Sequence, residues 1–131
     1  PIDVIELVRQ AHASTHGPRA HGRLAMRPAD ARFRVLGDPS WLELLATTLV
    51  EVHAATGPER GALAIAIEPP HYQAMTRCVR IESAGFKLGE LASTQLHLVE
   101  AILDHHDGAV EHVQGQGVRL VWPTSRVLEA G

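Results

Sequence analysis

The stretch Leu96–Pro123, LHLVEAILDHHDGAVEHVQGQGVRLVWP, organises the rest of the chain. Leu96, Val99, Ile102 and Leu103 recur at helical spacing behind Ser93, so a helix capped by Ser93 is expected over 93–105. His106-Asp107-Gly108 is a sharp stop. Ala109–Val113 and Val118–Trp122 then read as strands joined by a Gly115-Gln116-Gly117 turn, the second closing on Pro123.

Working back from this stretch, Gly61–Glu68 and Thr76–Glu82 read as strands around the loop Pro69–Met75. Ser83–Ala92 is irregular, with Gly85 and Gly89. Gly37-Asp38-Pro39 predicts a helix start, with Asp38 as N-cap and Pro39 in the first helical position. Leu42, Leu45, Leu49 and Val52 supply its core stripe through to Ala55, and Gly57-Pro58 ends it. Leu24 and Met26, then Phe33 and Val35, alternate with arginines in two half-buried strands joined by Pro28-Ala29-Asp30. Those arginines are expected on a solvated face. Near the start, Asp3 and Glu6 form a capping-box variant for an amphipathic helix within Pro1–His12, and Ala13–Arg19 is a turn marked by Gly17-Pro18. Thr124–Gly131 reads as a ragged C-terminal tail.

The order α-β-β-α-β-β-α-β-β predicts an α+β fold: a two-layer sandwich with three helices on one face of a mixed, mostly antiparallel sheet. At 131 residues and 45% apolar content the chain suits one core, expected over residues 1–123 with 124–131 as tail. Aromatics are few, so aliphatic side chains must fill that core. A net charge of −3 argues against nucleic acid as partner. No apolar run approaches a membrane span, no signal-peptide pattern opens the chain, and the single Cys78 fits a reducing compartment. A cytoplasmic location is the expectation. The start at Pro1, without an initiator Met, is that expected of a domain cut from a longer protein.

Three landmarks together resemble the ATP-binding domain of sensor histidine kinases, in the GHKL superfamily with its Bergerat-type fold. Gly37-Asp38-Pro39 and its Leu-rich helix are similar to the start of the N-box helix. Val79-Arg80-Ile81-Glu82-Ser83-Ala84-Gly85 is similar to the strand and turn of the first glycine box. Leu96–Pro123 is similar to the last helix, its His-Gly-Gly-like turn, the Gly-x-Gly turn and the closing strand. The resemblance spans essentially the whole chain.

It also implies where a nucleotide would sit. An N-box asparagine that coordinates Mg²⁺ falls on Val52, with Thr48 at the asparagine often found one turn earlier and His53 one residue off. The chain contains no asparagine at all, and Mg²⁺ prefers hard oxygen ligands. The Asp-x-Gly-x-Gly that accepts from adenine falls on Ser83, Ala84, Gly85, Phe86 and Lys87, so the carboxylate is replaced by Ser83 and only Gly85 persists. A lost charge-assisted bond of this kind weakens binding by about 1.5–3 kcal/mol. Ser93 and Gln95 stand where phosphate-approaching glycines are expected, and four residues, Gly89–Ala92, leave no room for an extended lid. The expectation is a degenerate domain whose vestigial pocket (Thr48, Val52, Ser83, Gly85, Lys87, Ser93 and Gln95) holds no cofactor. Its role would be protein interaction, with a receiver domain or with adjoining dimerisation and phosphotransfer helices of the same protein. No histidine has the His-acidic-x-Arg-x-Pro context of a phosphoacceptor. The alternatives are an active, divergent ATP- and Mg²⁺-binding domain using Glu51 or Glu82, and a small-molecule sensor using the emptied pocket.

Other constellations carry less. His12 and His16 at i, i+4 have no third ligand nearby to complete a metal site. His105-His106 suits a helix C-terminus. Ser40, Ser83 and Ser93 lack a nucleophile context, and Cys78 reads as a buried, inert thiol. Trp41 and Trp122 are the large anchors, and Trp41, in the first turn of its helix, is the candidate partner contact. A monomer is expected.

Overall fold

The computed structural model describes residues 1–16, 24–27, 30–54, 62–70, 73–83, 92–113 and 117–131, the side chains of Thr15, His16, Arg27, Ala92 and Ser93 aside. Two sheets support three helices. Strand β1 (Ile2–Asp3) runs into helix α1 (Val4–His16), which therefore reaches into the segment expected as a turn. Asp3 accepts from the amides of Ile5 at 3.1 Å and Glu6 at 3.3 Å, as an N-cap does, and also from Phe33 N at 3.2 Å. One carboxylate thus caps α1 and ties it to the neighbouring strand.

Strands β2 (Leu24–Arg27) and β3 (Phe33–Val35) lie in different sheets, although they are close in sequence. The three-stranded sheet has the order β1-β3-β8, and its third strand, β8 (Val127–Ala130), corrects the expectation of a ragged tail at 124–131. A 3-10 turn at Thr124–Arg126 brings β8 antiparallel to β3, and Arg32 and Gly131 exchange backbone bonds of 3.2 and 3.1 Å. The segment carries a single β-branched residue and half-buries only its ends, so it shows no alternation of the kind by which a strand is recognised.

The five-stranded sheet has the order β2-β4-β5-β7-β6, with β4 (Leu63–Ile67), β5 (Thr76–Glu82), β6 (Ala109–Val113) and β7 (Gly117–Pro123). The β2–β4 pairing is parallel and the others are antiparallel, as the mixed sheet predicted. Helix α2 (Pro39–Ala54) packs between α1 and α3 (Ala92–His105). It turns Leu42, Leu45, Leu49 and Val52 into the core, where they meet Ile65, Ile81 and Leu120. Full burial of each such aliphatic side chain is worth about 1.5–3 kcal/mol. Trp122 is also fully buried, with its ring 6.2 Å from that of Phe33.

Both ends of the helical layer are explicit in the sequence. Asp38 Oδ1 accepts from Ser40 N at 3.0 Å and Trp41 N at 3.5 Å, capping α2 as predicted. Helix α3 begins at Ala92, so Ser93 lies inside its first turn and not at the cap. Its C-terminus is a Schellman motif: Gly108 N donates to Leu103 O at 2.7 Å, Asp107 N donates to Asp104 O at 3.0 Å, and Asp107 is left-handed at φ 62°. A Cβ on Gly108 would lie 2.4 Å from Val121 O, so the turn needs glycine for close approach to β7. No helix among the described residues is long and apolar enough to cross a membrane.

Candidate functional site

The positions singled out for nucleotide chemistry converge on the C-terminal half of α2 and the end of β5. Thr48 is buried, and its hydroxyl donates to Leu44 O at 2.7 Å, bonding back into its own helix. Val52, one turn further on, is a buried core residue with no polar atom to offer. The next residue, His53, is the group that reaches across. Its Nδ1 is 2.6 Å from Ser83 Oγ, one of the two donating to the other, and the residues are only 2% and 3% exposed. The ring of His12, on α1, lies 6.3 Å from the ring of His53. A polar knot of two histidines and a serine therefore sits inside the domain, where α1, α2 and β5 meet.

His53 is a residue that sequence reasoning underrated, having placed it one position out of register. The signal was available: Leu42, Ala46, Leu49 and His53 fall at i, i+4, i+7 and i+11, so the imidazole continues the buried stripe. Of the other predicted residues, Gln95 is half-buried on α3, while Gly85, Lys87 and the side chain of Ser93 lie outside the described residues. Likewise His12 is described but the side chain of His16 is not. Among the described residues, no three His, Cys, Asp or Glu side chains gather to hold a metal ion.

Neither alternative carboxylate shares the face of Ser83. Along β5, Val79, Ile81 and Ser83 point inward, so Glu82 points outward and pairs with Arg80 at 2.9 Å. Glu51 is exposed on α2. Glu82 instead belongs to a charged array over the outer sheet face. There Arg119 binds Glu68 through two nitrogens, at 2.5 and 3.1 Å, and Glu111 at 3.2 Å, while Arg80 lies 3.8 Å from Glu68. Bonding to Glu68 raises the already high pKa of Arg119. Cys78 lies under this array, and burial, with the nearby Glu68 carboxylate adding to it, pushes its thiol pKa up. This face carries a shallow cavity of about 150 Å³ lined by Ala25, Ala64, Ala66, Arg80 and Glu82. A wider groove of about 480 Å³ runs between α3 and β6. Neither is lined by Thr48, Val52 or Ser83.

The helical layer presents a different surface. Trp41 is 44% exposed and Leu44, one turn along, is 40% exposed. The ring of Trp41 lies 6.1 Å from that of His105, which in turn meets His106 edge-on at 5.2 Å. His106 is 1% exposed and uses both ring nitrogens: Nδ1 donates to Ile102 O at 2.8 Å and Nε2 accepts from Asp38 N at 3.0 Å. This pattern requires the neutral Nδ1–H tautomer. It fastens the end of α3 to the start of α2, beyond the simple capping expected of the His pair.

No protein-family model matches the sequence, and no curated protein matches it. Solved structures do match. The mycobacterial sensor histidine kinase MprB superimposes with a TM-score of 0.68 at 15% identity, covering 93% of this chain and 96% of that one. The catalytic domain of histidine kinase ThkA gives 0.65 at 18% identity, covering 94% and 93%. The histidine kinase domain of the E. coli osmosensor EnvZ gives 0.64 at 16% identity, covering 99% and 91%. The three-helix, mixed-sheet architecture of this chain is the fold of histidine kinase catalytic domains.

Proposed function

We propose that this chain is a histidine-kinase-like domain of a two-component signalling protein whose nucleotide site is closed, and that it acts as a protein-interaction or regulatory module. The observation that carries the reading is the 2.6 Å contact between His53 and Ser83. By the resemblance, Ser83 stands at the adenine acceptor, and Val52, beside His53, stands at the Mg²⁺ ligand. A carboxylate is replaced by a hydroxyl already engaged inside the domain, and an oxygen ligand by a valine side chain. This donor set does not suit Mg²⁺, which needs several oxygens in near-octahedral geometry. The exposed positions of Glu51 and Glu82 add support, because neither carboxylate replaces the missing one beside Ser83.

Partners of the corresponding chemistry are a receiver domain or the adjoining helices of the same protein; this step is analogy from fold. Titration calorimetry with ATP and with ADP, each with and without Mg²⁺, tests the reading. No heat of binding up to millimolar nucleotide is the expected result, and micromolar affinity would overturn it. Val52→Asn with Ser83→Asp should leave partner binding unchanged. Loss of partner binding in that variant, with its fold verified by circular dichroism, would make the pocket itself the functional site, as in a small-molecule sensor.

A further inference from the structure

The five-stranded sheet ends on β6, and among the described residues no strand lies beyond it. An end strand offers a row of N–H and C=O groups to any chain that can pair with it, and folded proteins blunt such edges with short strands, bulges or charged side chains. The other three edges are blunted in these ways. Strand β1 has two residues, β8 is bulged opposite Arg34 and Val35, and β2 is short and closes on Arg27. Strand β6 instead keeps five consecutive pairs with β7 and carries no Pro, Lys or bulge. Its one carboxylate, Glu111, is turned to the outer sheet face, where Arg119 binds it at 3.2 Å.

Beside this edge runs the groove of about 480 Å³ between α3 and β6. Ala101, Gly108 and Ala109 leave it open, and Val110 adds an apolar patch. Its α3 wall carries Glu100 and Asp104, both exposed, together with His97, and among the described residues no Lys or Arg lines it. Arg126 is engaged by Asp107 at 2.7 Å and is not part of the lining. Both carboxylates of the wall therefore face one slot without a cation of their own.

We propose that this groove takes an extended peptide segment as a sixth strand beside β6, with Lys or Arg at alternate positions. The proposal rests on the reading of the domain as an interaction module and gives that module a surface and a partner chemistry. Backbone decides the form, since an extended chain is what satisfies an open strand edge along its length. Charge decides the composition. Glu100 and Asp104 are four residues apart on α3, a rise of about 6 Å. Alternate side chains of a strand share a face and are about 6.6–6.8 Å apart. Two basic residues in alternate positions therefore meet the two carboxylates, and the residue between them turns to the other side of the sheet. A second copy pairing through its own β6 would bring both sets of carboxylates to one seam, and nucleic acid would bring phosphates to them. Each is repelled.

The test uses short capped peptides with a fluorescent label, followed by anisotropy. One alternates Lys with Thr, one has the same composition with its Lys in a single block, and one alternates Glu with Thr. Two further copies of the Lys/Thr peptide carry backbone N-methyl groups on either the Lys or the Thr residues. The alternating Lys/Thr peptide should bind, and the block and Glu peptides should bind at least about tenfold more weakly. A strand bonds one neighbour through every second residue, so one methylated copy should lose binding and the other keep it. Glu100→Gln with Asp104→Asn, its fold verified by circular dichroism, should weaken binding about tenfold. On isotope-labelled protein, alternate amides within Ala109–Val113 should gain protection from hydrogen exchange when the peptide is added. Equal binding of the block peptide, equal behaviour of the two methylated copies, no added protection in β6, or affinity indifferent to the Glu100 and Asp104 changes would overturn the proposal. Nucleotide titration of the same sample separates the two readings: ATP binding refutes the closed site alone, and failure of the alternating peptide refutes the docking groove alone.

Discussion

Replacing His106 with alanine offers a sharp test of how the helical layer is held together. The imidazole is 1% exposed, accepts from Asp38 N, donates to Ile102 O, and packs edge-on against Trp122 with ring centres 6.1 Å apart. A buried group left without its partner costs about 1–3 kcal/mol. The lower end applies here, because Asp38 starts its helix at the surface and water can reach its amide. The lost ring contact adds about 0.5–1.5 kcal/mol and the void left behind adds more, for a total near 3 kcal/mol. With a urea m-value of about 1.5 kcal/mol/M, the unfolding midpoint should fall by about 2 M, read by circular dichroism and Trp122 fluorescence. His106→Gln, which keeps a donor and an acceptor, should recover part of the loss. The sharper arm uses Gly37. A Cβ there would lie 2.7 Å from His106 Cδ2, 2.8 Å from His106 Nε2 and 2.8 Å from Leu42 Cδ1. Gly37→Ala should therefore cost about 1–3 kcal/mol in the native background but less beside His106→Ala, where two of those three contacts are gone. A coupling of about 1 kcal/mol or more is expected. Additivity within about 0.5 kcal/mol, the behaviour of independent sites, would refute the clamp.

Three further outcomes follow from the geometry. Gly108→Ala places a methyl 2.4 Å from Val121 O, and should cost about 3 kcal/mol in chemical denaturation because backbone must move on one side or the other. Cys78 should react with a thiol reagent only at the rate of opening, and quickly in denaturant. Its folded pKa is raised, so its contribution to stability is constant below the unfolded thiol pKa, about 8.5, and stability falls as pH rises above that value; a Cys78→Ala variant should lack this alkaline slope. Arg119→Ala leaves the mostly buried Glu68 with Arg80 at 3.8 Å in place of a two-point bond, and should cost about 1–2 kcal/mol in chemical denaturation.

Periodicity made most of the fold legible. The stripes of α2 and α3 and the alternation in β5 and β7 each name the buried face, because burial selects residues one at a time and leaves its period in the sequence. Asp3, Asp38 and Asp107-Gly108 were legible for a related reason: caps and left-handed turns are local, and their residue preferences are chemical. Strand β8 was not legible. Its partner β3 lies some ninety residues earlier, and a pairing of three residue pairs stabilised by backbone bonds writes no pattern into side chains. The separation of β2 and β3 was hidden in the same way, since alternation says which face is buried but not which sheet provides the core. In the site, the identities of Val52 and Ser83 were plain, whereas the bond from His53 to Ser83 joins residues thirty apart and depends on the register of a helix over a strand. A histidine on an apolar stripe marks a buried polar contact without naming its partner.

The two ends of helix α2 are committed differently. At its N-terminus, Asp38 caps the helix while its amide is held by His106, and Trp41 emerges from the first turn toward solvent. At its C-terminal half, Thr48 bonds into its own helix and His53 turns inward to Ser83. Polar groups facing the interior are thus engaged with one another, and the large apolar group facing outward is left uncovered. Soluble domains scatter single apolar residues over their surfaces without consequence, so exposure of Trp41 alone would carry little. A helix that binds nucleotide on its inner side needs polar groups free on that side. In α2 those positions hold Thr48, bonded back to Leu44 O, Val52, which has no polar atom, and His53, bonded to Ser83, and the proposal of a closed site rests on that arrangement.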